Sequence, residues 1–385
     1  MDRIIRKGEH SVVKYLVRIL CCLYMIFLLT GCERQERAEV SRFDDSKQYL
    51  YFESFVESED GIYHTEVVDS GEIIKYADLS SGKDTVLCSK INCKHNSEKC
   101  QAFVKENDFI MGMLYAKGKL YLLVSGYKNE GGPRSNCIYQ MDKDGRGKVL
   151  IHDFKDYPVM ANGGGLYKNR FFLSIQVLEM EEDGSGGSSG APSILMYDLN
   201  TKKEAVILDG YKENDTFKQI VGGNHNSIYI AERNFYEKGD CHFREYDFLT
   251  GEFDDLYTTP EENLQAIRDD TLYLQKKEEK KIYVYNMKTQ MMEELLSWEE
   301  DVANIYIRYG YIEFVKEEKN VAGETVYLHK WYDLEEFEYL FDEYRPESEL
   351  TLKRKLTDIY WFVKDGKNYF YNWKEKVWTE IEEIS

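Results

Sequence analysis

Apolar and polar positions alternate in short runs along most of the chain, and these runs recur in a fixed order. A first run carries an aromatic pair or an Ile/Leu-Tyr pair, a second run ends in Asp or Asn, mostly after Tyr, and a polar turn leads to a third apolar run. The first runs centre on Ile62-Tyr63, Leu120-Tyr121, Phe171-Phe172, Ile228-Tyr229, Leu272-Tyr273, Tyr311-Ile312 and Ile359-Tyr360. The second runs end at Asp78, Asp142, Asp198, Asp247, Asn286, Asp333 and Asn372. Short β-branched and aromatic runs bounded by turns predict strands.

The spacing of these seven units predicts one repeated architecture. From Asp78 to Asn372 the chain advances 294 residues in six steps, a mean spacing of 49. Four strands of about six residues and four loops of about five need a little over 40 residues, which matches one propeller blade. We therefore predict an all-β fold, a seven-bladed β-propeller of four-stranded antiparallel blades over residues 48–385. The best helix candidate, Gln290 to Glu299, is too short to found another domain.

The N-terminal segment departs from this pattern and predicts an export signal. Five cations precede an apolar run from Ile19 to Thr30, which ends in Gly31-Cys32. Twelve apolar residues reach about 18 Å as a helix, short of a bilayer core of about 30 Å. Leu29, Thr30, Gly31 and Cys32 resemble a bacterial lipobox, which implies lipidation of Cys32 and cleavage before it. We predict a lipoprotein signal peptide over residues 1–31 and a polar linker over residues 32–47.

The net charge of the chain limits the classes of partner that it can bind. The chain has 70 acidic and 50 basic residues, a net charge of -20. Such a surface repels phosphate backbones, so we expect no nucleic-acid partner. The expected partners are the membrane, through the lipid anchor at the extracytoplasmic face of the cell membrane, and an unidentified protein, peptide or glycan ligand. The expected state is a monomer.

Two polar insertions interrupt the repeat. One runs from Glu181 to Ser193 in the third unit, and a shorter one runs from Gly126 to Asn136 in the second. Both have the composition of mobile loops. If they point the same way, they border one face of the disc.

A cysteine cluster between the first and second units is the sharpest local motif. Cys88, Cys93, His95 and Cys100 form a C-x4-C-x-H-x4-C pattern. On an extended strand Cys93 and His95 would project to one side. Three thiolates and one imidazole suit a closed, structural zinc site. A disulfide between Cys93 and Cys100 or between Cys88 and Cys100, with an ordinary surface histidine, is the alternative, as are free thiols.

The lipobox, the cysteine segment after Tyr76-Ala77-Asp78-Leu79 and the repeated Tyr-Asp-Leu units together resemble a group of lipoproteins from anaerobic Gram-positive bacteria. The resemblance covers the mature chain and implies a β-propeller body similar to the low-density-lipoprotein-receptor-related type. It implies no assigned activity and no catalytic residue. The receptor-type Tyr-Trp-Thr-Asp motif is approached only at Ile359-Tyr360-Trp361-Phe362.

Catalytic motifs are missing from the sequence. It contains no H-E-x-x-H pair, and its one G-x-S-x-G string, at residues 186–190, lies in the Gly/Ser-rich insertion rather than at a strand-to-helix elbow. Gly163-Gly164-Gly165 favours a tight turn between strands over a phosphate loop. The five Trp residues lie late in the chain, and we expect them to fill the space between the last two blades rather than to stack on sugars. They are Trp298, Trp331, Trp361, Trp373 and Trp378.

These patterns favour a noncatalytic binding or scaffold module without catalytic residues. The alternative is a propeller hydrolase or lyase acting on cell-envelope or dietary polysaccharide, with acids and histidines gathered over the central channel. A structural part of an envelope complex is a third hypothesis.

Overall fold

The protein is described by a computed structural model. The described residues are 50–127, 134–154, 159–177, 179–180, 186–187, 193–208, 216–224, 226–234, 239–260, 264–268, 271–298, 301–308, 310–356 and 358–384. All of them belong to one compact unit, Asp45–Ser385. The predicted signal peptide, the predicted lipobox residues Leu29, Thr30 and Gly31, the predicted lipidation site Cys32 and the predicted linker lie outside the described residues.

Seven antiparallel sheets form a ring of seven blades, as the repeat predicts. The strand β1 (Leu50–Tyr51) precedes the first blade, which contains β2 (Phe55–Glu57), β3 (Gly61–Val68), β4 (Gly71–Asp78), β5 (Lys83–Val86) and β6 (Phe103–Lys105). Blade 2 contains β7 (Asp108–Ala116), β8 (Lys119–Tyr127), β9 (Arg134–Asp142) and β10 (Val149–Phe154). Blade 3 contains β11 (Val159–Tyr167), β12 (Arg170–Val177), β15 (Ser193–Asp198) and β16 (Lys203–Leu208), with the small pair β13 (Glu179–Met180) and β14 (Gly186–Gly187) between β12 and β15.

The remaining blades follow the same order. Blade 4 contains β17 (Thr216–Gly223), β18 (Ser227–Asn234), β19 (Asp240–Asp247) and β20 (Phe253–Pro260), and blade 5 contains β21 (Leu264–Arg268), β22 (Thr271–Lys276), β23 (Lys281–Asn286) and β24 (Met291–Ser297). Blade 6 contains β25 (Asn304–Arg308), β26 (Tyr311–Lys319), β27 (Thr325–Asp333), β28 (Glu338–Tyr339) and β29 (Arg345–Pro346). Blade 7 contains β30 (Leu350–Lys355), β31 (Ile359–Lys364), β32 (Lys367–Asn372) and β33 (Val377–Glu380), and β34 (Glu382–Ile384) follows it.

The repeated markers take equivalent places in every blade. Each first run is the second strand, and each closing Asp or Asn is the last residue of the third strand. Asp247 shows why an acid or amide suits this position, because its Oδ1 accepts the backbone N–H groups of Leu249 and Thr250 at 2.7 Å each. These bonds, led by that of Thr250, lower the pKa of Asp247. The predicted hairpin role of these residues is confirmed.

Two local predictions were wrong. The helix candidate Gln290 to Glu299 is mainly strand β24, because its Met and Leu residues pair with β23 as the edge of blade 5. Gly163-Gly164-Gly165 lies inside β11, at a register shift between Ala161 and Gly164, and not in a turn. A bulge accommodates glycine as readily as a turn does.

The core consists of seven apolar clusters, each between two neighbouring blades, so the ring is closed. Trp331, Trp373 and Trp378 fill the space between blades 6 and 7, as predicted. The other two differ from the prediction, because Trp298 packs between blades 5 and 6 and Trp361 packs between blades 7 and 1.

The ring is also closed by backbone hydrogen bonds. After blade 7, β34 crosses to blade 1 and pairs in parallel with its outer strand β5, with Glu383 opposite Asp84. The Glu382 N–H donates to the Gly82 carbonyl at 2.7 Å. Blade 1 is thus completed by residues from the other end of the propeller.

A short stretch before blade 1, the crossing segment (residues 50–54), runs along the inner strands at the axis. Its β1 pairs antiparallel with β11, the inner strand of blade 3. The Phe52 N–H donates to the Gly164 carbonyl at 3.0 Å, and Glu53 and Met113 of blade 2 exchange backbone hydrogen bonds of 2.8 and 2.7 Å. The chain therefore enters the ring at its centre.

Contacts from further blades hold the crossing segment. The Tyr51 hydroxyl donates to the Gly223 carbonyl of blade 4 at 3.0 Å. Arg354 on the inner strand of blade 7 forms an ion pair with Glu53. A Cβ at Gly112 would lie 2.9 Å from the carbonyl carbon of Phe52, so glycine is required for this close approach.

The topology defines two faces. Connections from second to third strands and from one blade to the next emerge at one face, which we call the loop face, and the remaining hairpins emerge at the other, the turn face. Both predicted insertions join second to third strands, β8 to β9 and β12 to β15, and the strand ends that flank them lie at the loop face. Residues 128–133, 181–185 and 188–192 within them lie outside the described residues.

Candidate metal centre

The outer strand of blade 1 is broken in the middle. The strand β5 pairs with the C-terminal half of β4, and β6 pairs with its N-terminal half. Between them the Leu87 N–H donates to the Ile74 carbonyl at 2.9 Å, while the Ile74 N–H donates to the Ala102 carbonyl at 2.8 Å. Residues 88–101, the cysteine loop, therefore leave the sheet edge and return to it at the same point.

The cysteine loop brings together all four side chains that the sequence singles out. One ligand atom from each of Cys88, Cys93, His95 and Cys100 lies within 4.8 Å of the others. The His95 Nδ1 is 3.3 Å from the Cys100 Sγ. Tetrahedral zinc with Zn–S bonds of about 2.3 Å places sulfurs about 3.8 Å apart, so small side-chain shifts would complete the geometry. This cluster could hold a metal ion, and the three cysteines are free thiols in the structure.

Left-handed turns, rather than an extended strand, bring the ligands together. Asn92 and His95 have positive φ angles of 57° and 52°. The expected parallel projection of Cys93 and His95 from a strand was therefore wrong, although the two side chains do converge. The backbone N–H of His95 is directed at the Cys93 sulfur, and that of Ala102 at the Cys100 sulfur. N–H···S bonds stabilise thiolates, the form that binds metal.

The thiols differ in their electrostatic surroundings. Burial raises the pKa of the Cys100 thiol to about 12. The hydrogen bond from the His95 backbone lowers the pKa of the partly exposed Cys93 thiol, and the nearby charge of Lys90 acts in the same direction. A dication at this cluster would displace the Cys100 proton, because metals bind the thiolate.

The cluster also lies at the boundary between two blades. Cys100 is buried in the core between blades 1 and 2 with Met113 and Leu122, and Cys88 and Cys93 pack against that core. Lys148 of blade 2 donates to the Phe103 carbonyl at 3.3 Å. Because four protein ligands would fill a tetrahedral site, a metal here would have no open position for substrate and would serve structure.

The other described histidines do not share a site. His64 pairs with Asp84 on blade 1, His152 with Glu204 across blades 2 and 3, His242 with Thr258 on blade 4, and His329 with Glu313 on blade 6. None of these four histidines is on an inner strand, and His225 lies outside the described residues. The described histidines therefore do not gather over the central channel.

Sequence reasoning missed a buried charged group beside the closing strand. The two carboxylate oxygens of Asp84 lie 3.0 Å from the His64 Nε2 and 2.8 Å from the Lys75 Nζ, and Lys75 also contacts Glu66 at 2.9 Å. Burial alone would raise the pKa of Asp84, but the hydrogen bonds and charges of His64 and Lys75 lower it overall. No local spacing indicates this set, because strand pairing assembles it.

A polar cleft of about 460 Å³ opens between blades 3 and 4 at the turn face. Its two carboxylates, Asp198 and Asp247, already accept turn N–H groups, and Arg170 pairs with Asp198 at 3.2 Å. The charged groups of this cleft are thus engaged in holding the turns.

Comparisons with known proteins support the fold and no activity. No family model matches the chain. No curated protein matches it in sequence either. Among solved structures, one of two prolyl endopeptidases is 9% identical with a TM-score of 0.54, covering 87% of this chain and 50% of that one. A post-proline cleaving enzyme from Rickettsia typhi is 9% identical with a TM-score of 0.52, covering 88% and 53%. This chain thus spans about half the length of these two enzymes.

A third structure is looser. An oligogalacturonate lyase in complex with manganese is 13% identical, covers 83% of this chain and 84% of that one, and has a TM-score of 0.44.

Among the described residues, no helix is long and apolar enough to cross a bilayer.

Proposed function

We propose that the chain is a lipid-anchored β-propeller at the extracytoplasmic face of the cell membrane, where it serves as a noncatalytic binding or scaffold module for a protein, peptide or glycan. The export signal and Cys32 support the anchor. The propeller supports binding, because a ring of blades presents large loop-bearing faces on a rigid frame.

The dispersal of the described histidines is the observation that best supports a noncatalytic role. A hydrolase or lyase centred on the channel needs acids and bases within hydrogen-bond reach of one substrate. Here His64, His152, His242 and His329 are each paired within separate blades or seams. At the axis, Glu53 is bonded through its backbone to Met113 and through its side chain to Arg354.

A screen of the purified body against peptide and glycan arrays tests this function. We expect saturable binding without product formation. Turnover that a single carboxylate substitution abolishes would show that the protein is an enzyme.

Membrane partitioning of the Cys32→Ala chain tests the anchor separately, since we expect that chain to fold and to leave the membrane fraction. An unchanged distribution would contradict lipidation at Cys32.

We further propose that the cysteine loop binds one structural zinc ion through Cys88, Cys93, His95 and Cys100. The convergence of four ligand atoms within 4.8 Å supports it. When bound, zinc would cross-link the loop without redox chemistry. The chain's own residues provide the N–H···S bonds and the buried side of the site.

Elemental analysis of the purified chain tests the zinc site. We expect one zinc per chain in the wild type, loss of it in Cys93→Ser, and retention in Cys137→Ser, which changes a cysteine outside the cluster. A chain without zinc whose mass is lower by two hydrogen atoms per bridge would instead establish the disulfide.

A further inference from the structure

The two faces of the propeller differ sharply in charge. Among the described residues, the connections at the loop face, excluding the broken outer edges of blades 1 and 6, contain ten acidic and two basic residues, a net charge of -8. The described connections at the turn face contain eight acidic and nine basic residues, a net charge of +1. The excess negative charge of the described connections is therefore carried by one face.

The chain enters the ring through the other face. Because β1 is antiparallel to β11, and Leu50 lies opposite Leu166 near the end of β11, the crossing segment runs from the turn face inward. It then turns at Ser54 and returns along β2 as the inner strand of blade 1. Leu50, the first described residue, consequently lies at the turn-face end of the crossing segment, near the axis.

We propose that the turn face lies against the membrane and that the acidic loop face, with both insertions, points away from it. The membrane surface that this arrangement fits is an anionic phospholipid bilayer. The inference rests on the proposed lipid anchor, and it adds which face is available to a binding partner.

The tether length favours this orientation. Residues 32–49 number 18, and a flexible coil of that length has an average span of roughly 23 Å. To place the loop face on the membrane, the tether would have to run about 20 Å from the axis to the rim and then about 25 Å along a blade. Such stretching is within the contour length of about 60 Å but reduces the tether's conformational freedom.

Electrostatics acts in the same direction. A face whose described connections carry a net charge of -8 is repelled by anionic headgroups once it approaches within about 10 Å, the screening length at ordinary salt. The turn face, nearly balanced in charge, meets little repulsion. Chain entry and charge are independent features, and both place the same face toward the bilayer.

Energy transfer from two matched positions to headgroup-labelled lipid tests the orientation. Lys277 and Lys288 are both exposed and lie just beyond opposite ends of β23, about 20 Å apart along one blade. The lipidated full chain, with a click-reactive amino acid and a dye at one of these positions, is placed in phosphatidylcholine vesicles containing phosphatidylglycerol. We expect transfer from position 288 at the turn face to exceed that from position 277 about twofold, because of this height difference.

Each other outcome overturns the orientation. Equal transfer from both positions would mean that the body tumbles freely, and higher transfer from position 277 would mean the opposite orientation. Co-flotation of the same samples with vesicles reports on the anchor itself. If the chain does not float, the anchor fails, and the label pair is measured on a Cys32→Ala chain held to nickel-chelating lipid by an N-terminal hexahistidine.

Discussion

Blades 1 and 6 both have a broken outer strand, yet the two breaks are held in different ways. In blade 6, β28 and β29 pair with separate parts of β27, and residues 340–344 leave the edge between them. There Leu340 donates its N–H to the Trp331 carbonyl at 2.9 Å, and Phe341 packs against Trp331 and Trp378 in the core between blades 6 and 7. Apolar burial anchors this excursion.

The cysteine loop of blade 1 lacks such an anchor over most of its length. Residues 89–92 and 96–99 are exposed, and Ile91 is 91% exposed. Only the sulfur and imidazole ligands turn inward. An excursion from a sheet edge costs conformational entropy wherever it occurs, so something must hold it. Blade 6 uses aromatic packing, whereas the proposed metal serves that purpose in blade 1.

The largest loss of stability is expected when the apolar anchor of blade 6 is removed. Phe341→Ala removes a ring in contact with four aromatic side chains and should lower the free energy of unfolding by about 3 kcal/mol. Urea denaturation measures it, with and without chelator, and the loss should be the same in both. Phe337→Ala, at a 63% exposed position in the same blade, is the control with little change. Equal losses in the two variants would contradict anchoring by Phe341.

Metal removal should cause the second-largest loss of stability. At free zinc a hundred times the dissociation constant, binding stabilises the folded state by about 2.7 kcal/mol, which a chelator would remove. Trypsin should then cut the cysteine loop, which carries Lys90, Lys94 and Lys99. We expect the uncut loop to persist with zinc and in Cys137→Ser with zinc. An identical digestion pattern with and without chelator in the wild type would show that the loop needs no metal.

A third test concerns the carboxylate at the start of the broken strand. Asp84→Asn removes the buried carboxylate that His64 and Lys75 share, leaves Lys75 with Glu66 as its remaining close charged partner, and should cost about 2 kcal/mol at neutral pH. Because the folded-state pKa of Asp84 lies below its unfolded value of about 3.9, its stabilisation is present above that pH and is lost as the pH falls through the folded pKa. The melting temperatures of wild type and variant, measured across pH, should therefore converge in acid. A constant difference down to pH 2 would contradict this assignment.

The smallest effect is expected at the tip of the cysteine loop. Ile91→Ser changes a side chain that is 91% exposed, so the free energy of unfolding should stay within about 0.5 kcal/mol of wild type. Zinc content should also be unchanged. A marked loss of either would show that the loop is held by apolar contact after all.

The sequence predicts the repeated part of this fold well. The second and third strands of each blade carry local signals, since an aromatic pair opens one and an Asp or Asn such as Asp247 closes the other. The sequence also singles out the four side chains that converge in the cysteine loop, because they lie within 13 residues of one another. Such signals need no knowledge of distant contacts.

What the sequence could not indicate depends on pairing between distant segments. The crossing segment and β34 are two and three residues of regular strand, too short for any periodic pattern. Asp84, Lys75 and His64 meet only because β3, β4 and β5 pair in one register. The breaks in the outer strands of blades 1 and 6 could not be predicted for the same reason. Taken alone, the two short strands on either side of each break resemble an ordinary strand and an ordinary loop.

The parallel pairing of β34 with β5 has a consequence for the order of assembly. Until residue 384 has been synthesised, blade 1 lacks its outermost strand and the ring lacks its backbone closure. Contacts between segments about 300 residues apart form slowly. Nascent chains would therefore expose open blade edges until translation is complete, which makes an escort against aggregation valuable during that interval.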